Sequence, residues 1–349
     1  MKRFLLIGIS LLALTACTSN VGQSEDSQSK IEEEPINQND EQQEEQQEEP
    51  IVLSPLTGLE AKGDINQRPF SVMINNHPKA RPQSGLHKAD VVYEVLAEGS
   101  VTRFLAIYQS EQPEIIGPVR SARDYYIDLS KGYDAFYISH GWSPSAQKKL
   151  QSGEADYLNG LFYDGTLFWR DHERRAPHNS YISFSNLMEG AGRKGYSMTE
   201  EVEPLPFIKK EDETLSSFEP MIDFVVKYGN SDTWKIQYVY DESIERYKRY
   251  SANELTVDRE TKEPVLLDNI LVVEMEHQII DNYGRRSIDI YSGGIGYLFQ
   301  KGSYTEIEWK NVDGRILPYQ NGQVVPFVPG RTWINIVPNI DKALQLTQM

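Results

Sequence analysis

Apolar and polar positions follow different rhythms along this chain, and the changes divide it. A basic pair, Lys2 and Arg3, precedes the apolar run FLLIGISLLAL, and residues 18–50 then carry almost no apolar positions. From 51 to about 200, apolar runs of strand length alternate with helical periods. PFSVMINN (69–76), DVVYEVLA (90–97) and VTRFLAIYQ (101–109) read as strands, with EGS turning between the last two. RDYYIDLSKGYD (123–134) predicts a short helix starting near Ser121 or Asp124, and AFYISHG (135–141) a buried strand ending in glycine. SPSAQKKLQSG (143–153) has Ser143 as N-cap, Pro144 in the first turn and Gly153 as stop, and YISFSNLMEGAGRKG (181–195) is another amphipathic helix with a glycine terminus. Strands alternating with helices predict a layered α/β (α+β) domain over 51–200.

Beyond 200 the helical period fades. From 196 to 218, prolines and charges, as in EVEPLPFIKKEDETLSS, mark a connection. IDFVVKYG, WKIQYVY, ERYKRYS, NILVVEMEH, RRSIDIYSGG, IGYLFQKG, YTEIEWKNV and TWINIVP are short strands set apart by Gly, Asn and Asp. SGGIG and KGSYT read as hairpin turns. A mostly antiparallel β domain over 201–349, a sandwich or open barrel, is the expectation.

The chain's start changes the picture of where this fold works. LTAC places small residues directly before Cys17. Residues 1–16 are therefore expected to be a lipoprotein signal peptide, cut before Cys17, whose sulfur carries a diacylglyceryl thioether. Cys17 is the only cysteine, so no intramolecular disulfide is available, and the anchor gives the thiol a use. Each acyl chain contributes about 0.8 kcal/mol per buried CH₂, and two or three hold firmly. The protein is expected on the extracytoplasmic face of the cell membrane. Residues 18–50 hold 11 acidic side chains against one lysine, so this stretch accounts for most of the net charge of −17. It cannot bury enough apolar surface to offset its ordering entropy and is expected to be a disordered tether. The remainder is only moderately acidic. An exported, cysteine-poor, acidic protein argues against a nucleic-acid partner, and no second segment is apolar enough to cross a membrane.

His77, His87, His140, His172 and His178 all fall in the α/β stretch, as do NNHPKARP, YEVLAEGSVTRF, GPVRSARD, SHGWSP and RDHERRAPHNS. Many of these lie at strand ends or in the following loops, where α/β folds place ligands. The histidine spacing matches no compact metal motif, and thiolate ligands are lacking, which leaves only a distributed site of His140, His178 and a carboxylate. There is no G-x-S-x-G elbow, P-loop or Rossmann glycine fingerprint. Arginine with carboxylate is the better-populated pattern. Arg103, Arg120 and Arg123 each offer a planar fork to phosphate or carboxylate oxygens. A helix starting at Ser121 or Asp124 adds free N–H groups. Asp124 is placed to hold an arginine or a phosphate-borne metal. Asn75, His140 and His178 complete the candidate anion site. The alternative is that the arginines form internal salt bridges with carboxylates such as Glu94 and Glu98.

SPLTGL, RPFSVMINNHPKARPQSGLHKADVVYEVLAEGSVTRFLAIY and IGPVRSARDYYIDLSKGYDAFYISHGW closely resemble the YerB-type lipoproteins of Gram-positive bacteria, and GYLFQKGSYTEIEWK with PFVPGRTWINIVP resembles that family's C-terminal domain. The resemblance spans 54–338 and implies a membrane-anchored, two-domain lipoprotein without an established activity. The family's association with a UvrD/Rep-type DNA helicase does not suit a protein exported by a lipobox. KADVVYEVLA, TRFLAIY and GPVRSARDYY are also similar, locally, to the core of LytR-CpsA-Psr phosphotransferases, which act on polyprenyl-pyrophosphate carriers. That similarity maps onto Asp90, Arg103, Arg120, Arg123 and Asp124.

These readings lead to a surface lipoprotein that binds an anionic envelope ligand, a phosphate-bearing glycan or lipid carrier. The first alternative is a phosphotransferase or hydrolase in which Mg²⁺ or Mn²⁺ and a carboxylate (Asp90, Glu94 or Asp124) aid transfer. The second is a protein-interaction lipoprotein. No cofactor is otherwise implied.

Overall fold

Runs that are apolar at nearly every position cannot face water on either side. Phe70–Asn75 (β1) is buried throughout, and Val91–Glu98 (β2) and Val101–Tyr108 (β3) are buried at all but one residue each. Such strands belong in the middle of a sheet covered on both faces. The computed structural model, which describes residues 51–209 and 218–346, places them there. The expected signal peptide, Cys17 and the tether lie outside the described residues.

The chain continues through Asp124–Lys131 (α1), Phe136–Ser139 (β4), Pro144–Gln151 (α2), Tyr157–Asn159 (β5), Ser180–Ser183 (β6) and Phe184–Lys194 (α3). Asp223–Lys227 (β7), Lys235–Asp241 (β8), Arg246–Ser251 (β9), Asn269–Glu274 (β10), Gly294–Gln300 (β11), Ser303–Val312 (β12), Arg315–Gln320 (β13) and Thr332–Val337 (β14) follow. One 12-stranded sheet runs β13-β12-β11-β10-β14-β2-β3-β1-β4-β5, with Gln323–Val324 at its outer edge and Glu219–Pro220 beside β12. β14 joins the halves. It pairs in parallel with both β10 and β2, so Asn335 sits opposite Val272 on one side and Glu94 on the other. The stretches 51–200 and 201–349 therefore share a sheet, and residues from Pro50 onward form one compact unit.

Alternation along the strands sorts side chains onto two apolar faces. Met73, Tyr93, Val95, Leu105 and Tyr137 pack under α1 and α2 with Tyr126, Leu129, Ala146 and Leu150. Val72, Ile74, Phe104 and Ile138 face the other way, toward Leu187 and Ala191 of α3 and toward a six-stranded sheet built on β7, β8 and β9. The first half is thus a mixed sheet between helices. The second is a mostly antiparallel sheet-on-sheet sandwich.

Local signals behave as their chemistry dictates. Ser143 accepts from the Ala146 N–H at 3.2 Å to cap α2, and Gly195 ends α3 at φ 72°. Lys301 and Gly302, at φ 48° and 70°, turn β11 into β12. SGGIG differs: Arg286–Ile288 pairs with His277–Ile279 and not with β11. The connection after 196 also differs from a free linker where it is described. Val202 and Leu205 are buried, and the Ile208 N–H donates to the Phe327 carbonyl at 2.8 Å.

Candidate functional site

The site begins with a bulge. β2 and β3 pair regularly until Leu96, where the register shifts before Glu98. A bulge re-aims the next side chain and frees carbonyls from the ladder. Two tyrosines of α1 use them: the Tyr125 hydroxyl donates to the Leu96 carbonyl at 2.9 Å and that of Tyr126 to the Val95 carbonyl at 2.8 Å. With α1 fixed there, its N-cap residue Arg123 meets Glu98, and Arg103 donates to the other Glu98 oxygen at 2.8 Å. Arg103 also donates to the Ser121 carbonyl at 2.7 Å, and Arg123 to that of Ala122 at 2.6 Å. Burial alone would raise the Glu98 pKa, but Arg103, Arg123 and Arg120 outweigh it and hold the carboxyl below its usual range. Arg103 and Arg123 are therefore engaged inside the protein, one of the two outcomes the sequence left open. Glu98 takes the role of their anion.

Arg120 is placed differently. β1 and β4 pair only over Phe70–Val72 and Phe136–Ile138, and beyond that point the segment 118–122 lies between them. The Arg120 N–H donates to the Met73 carbonyl at 2.8 Å, and its carbonyl accepts from the His140 N–H at 3.0 Å. Arg120 thus lies beyond the carboxyl ends of the parallel strands β1 and β4, the usual ligand position in α/β sheets. The partly buried guanidinium of Arg120 makes no hydrogen bond or ion pair among the described residues.

The surrounding imidazoles have definite tautomers. Asn75 Oδ1 accepts from the His77 N–H at 3.0 Å, so its amide nitrogen donates to His178 Nδ1 at 2.8 Å. The proton of neutral His178 is then on Nε2. His77 Nδ1 accepts from the Lys79 N–H at 3.1 Å, which likewise leaves its proton on Nε2. The two rings stack with centroids 4.5 Å apart. Burial, then His77, Arg120, Lys79 and Arg174, push the His178 pKa down to about 4. Burial, Lys79, Arg81 and Arg120 lower that of His77. His140 is committed at both nitrogens. Arg170 donates to Nε2 at 2.8 Å, so the Nδ1 proton goes to Ser180 Oγ at 2.7 Å, and burial with Arg170 brings its pKa to about 4. His77 and Lys79 are the contributors the sequence reading left out of the site; NNHPKARP at a strand end was the signal.

The remaining candidates separate. Asp124 opens α1 and makes no side-chain hydrogen bond among the described residues. Asp90 lies at the far end of β2, next to the Ile107 pairing, and accepts from the Gln109 and Ser110 N–H groups at 2.6 and 2.8 Å. Burial raises its pKa to about 6 against those bonds. Glu94 points to the opposite face, fully buried against Arg249 at 2.8 Å, Asn76 at 3.1 Å and Trp333 at 3.2 Å. Neither can join Arg120. In the cationic loop, Arg174 donates to the Ala80 and Pro82 carbonyls at 2.7 and 2.6 Å, and Arg170 holds Asp164 at 2.8 Å. Arg174 thus ties the loop to the 80–82 segment, and Arg170 ties it to Asp164 and His140. Among the described residues, no three His, Cys, Asp or Glu side chains gather as a metal site. The oxygen donors that Mg²⁺ or Mn²⁺ prefers are thus not assembled around Arg120.

A mixed α/β sheet continued into a mostly antiparallel β-sandwich, with Arg120, His77 and His178 at the strand ends of its first half, defines the class by fold. The chain belongs to the family described as "Protein of unknown function (DUF3048)", whose N-terminal domain matches residues 56–197 and whose C-terminal domain matches 224–334. It is 52% identical over 293 residues to "Putative lipoprotein YerB" of Bacillus subtilis (strain 168), spanning 83% of this chain and 87% of that protein. The crystal structure of the YerB protein from Bacillus subtilis is similar at a TM-score of 0.80 and 50% identity, over 85% of this chain and 100% of that one. Among the described residues no helix is long and apolar enough to cross a membrane.

Proposed function

We propose that this protein is a lipoprotein, anchored through Cys17 on the extracytoplasmic face of the cell membrane, that binds an anionic envelope ligand through Arg120. The ligand class is a phosphate-bearing glycan or lipid carrier. The carrying observation is that, of three neighbouring arginines, two share the single carboxylate of Glu98, while the third feels Glu98 only at longer range and makes no side-chain hydrogen bond or ion pair among the described residues. Around it, His77 and His178 have their Nε2 protons directed away from the Asn75 and Lys79 contacts. A guanidinium fork with imidazole donors suits the several oxygens of a phosphate. The anchor reading rests on the lipobox before Cys17 and on the lipoprotein name of the Bacillus subtilis relative. The phosphotransferase reading is weaker, since Asp90 and Glu94 are held elsewhere and only Asp124 stays near the arginine cluster.

The test is equilibrium binding of the folded part, residues 51–349, to a polyprenyl phosphate in micelles and to a poly(glycerol phosphate). One charge-assisted contact is worth about 1.5–3 kcal/mol, so Arg120→Ala should weaken binding about 10- to 100-fold. Arg120 has no hydrogen bond or ion pair of its side chain to lose, so the thermal midpoint of the variant should stay near that of the wild type. Equal affinity of the two proteins would overturn the proposal.

A further inference from the structure

A cavity of about 100 Å³ lies on the face opposite the arginine cluster, lined in part by Arg81, Pro82, Arg249, Ser251, Glu254 and Leu255. Adjacent asparagines serve the two places: Asn75 supports His178, while Asn76 turns to Glu94 and the cavity. Two guanidiniums line its interior. Arg249, 1% exposed, gives one N–H to Glu94 and one to Thr256 Oγ1 at 2.9 Å, and its Nε makes no hydrogen bond. Tyr238 gives its hydroxyl proton to Asn335 at 3.0 Å and turns its oxygen to Arg249. Arg81 donates to Asn76 Oδ1 and the Asn76 carbonyl, both at 3.0 Å, and only at 3.5 Å to the Thr233 carbonyl. The buried Ser251 Oγ also lacks a partner.

Unsatisfied buried donors are costly, and native structures rarely keep them without a use. Of the carboxylates that act on the two guanidiniums, Glu94 lies behind the cavity and is already bound to Arg249. At the mouth stands exposed Glu254, beside the apolar Leu255 and Val257. The order from inside outward is cation, apolar wall, anion. The cavity is small, with room for a compact polar molecule.

We propose that this cavity binds a small free amino acid of about the size of alanine. Its carboxylate meets Arg81, Arg249 and Ser251, its short side chain lies along Leu255, Val257 and Pro82, and its ammonium meets Glu254. This site is independent of the Arg120 site.

Calorimetric titration of the full chain with glycine, alanine, leucine, acetate and methylamine tests it. Alanine should bind saturably, at least tenfold tighter than acetate, methylamine or leucine. Glu254→Gln, at an exposed position, should reduce alanine affinity toward that of acetate. Leu255→Trp should block alanine while leaving the thermal midpoint of the free protein unchanged. No saturable alanine binding, or alanine binding unchanged in both variants, would overturn the proposal.

Discussion

Glu98→Gln removes the anion that the protein itself supplies to its arginine cluster. Glu98 contacts Arg103 and Arg123, whose side chains are 4% and 8% exposed, while 30% of its own is exposed. Breaking one partner out of a buried pair costs about 3–5 kcal/mol. The residual exposure of Glu98 lets water screen part of this, so the expected loss is about 2–3 kcal/mol. The variant also leaves two forks facing an amide, and inorganic phosphate becomes their natural replacement. Urea unfolding at neutral pH, with and without phosphate, reads both effects. The variant should unfold earlier and gain more from phosphate than the wild type does. Because the Glu98 pKa is lowered in the folded state, its contribution is present above the unfolded carboxylate pKa and disappears as pH falls through the folded one. The difference between the two proteins should therefore shrink in acid. A loss below about 0.5 kcal/mol, as for an ordinary surface pair, with equal phosphate effects, would refute the reasoning.

Glu94→Gln should be more damaging, about 3–5 kcal/mol, because Arg249 would be left charged in the core; adding Arg249→Met should recover much of it, and denaturation midpoints of the three variants check this. His140 and His178 have folded pKa values depressed to about 4, so the unfolded chain binds their protons first, and stability should decline as pH falls from about 6.5 toward 4; imidazole NMR titration with unfolding at several pH values measures both. Protonated His178 adds charge beside Arg120, so affinity for a phosphodiester ligand should stay level from pH 7 to 5 and rise as pH falls through about 4 in the same titration. Cys17→Ser should move the protein out of the membrane fraction and abolish incorporation of labelled palmitate; unchanged fractionation would remove the anchor from the account.

The N-terminal strands were legible because their residues are apolar on both faces, and helix α2 because Ser143, Pro144 and Gly153 mark its ends. What periodicity does not carry is the long-range pairing of β14. TWINIVP reads as a strand, but nothing in it says that Asn335 will lie beside Glu94 and tie the halves into one sheet. The arginine cluster was legible as a cluster only. Which arginine is ion-paired depends on the bulge after Leu96, which turns Glu98 into contact with Arg103 and Arg123 and leaves Arg120 at longer range. Glu94 looked equally available in the sequence, since a regular strand would carry positions 94 and 98 on one face; the bulge between them puts Glu94 on the opposite face, where the distant Arg249 meets it. His77 was passed over because its stacking on His178 joins positions about a hundred residues apart.

The most direct test follows side-chain N–H resonances of the ¹⁵N-labelled protein during titration with a polyprenyl phosphate. The Arg120 guanidinium and the His178 Nε2–H should shift together and saturate at one affinity, while Arg174, bound to the Ala80 and Pro82 carbonyls, should not move. Saturating shifts elsewhere with Arg120 and His178 unmoved would contradict the account.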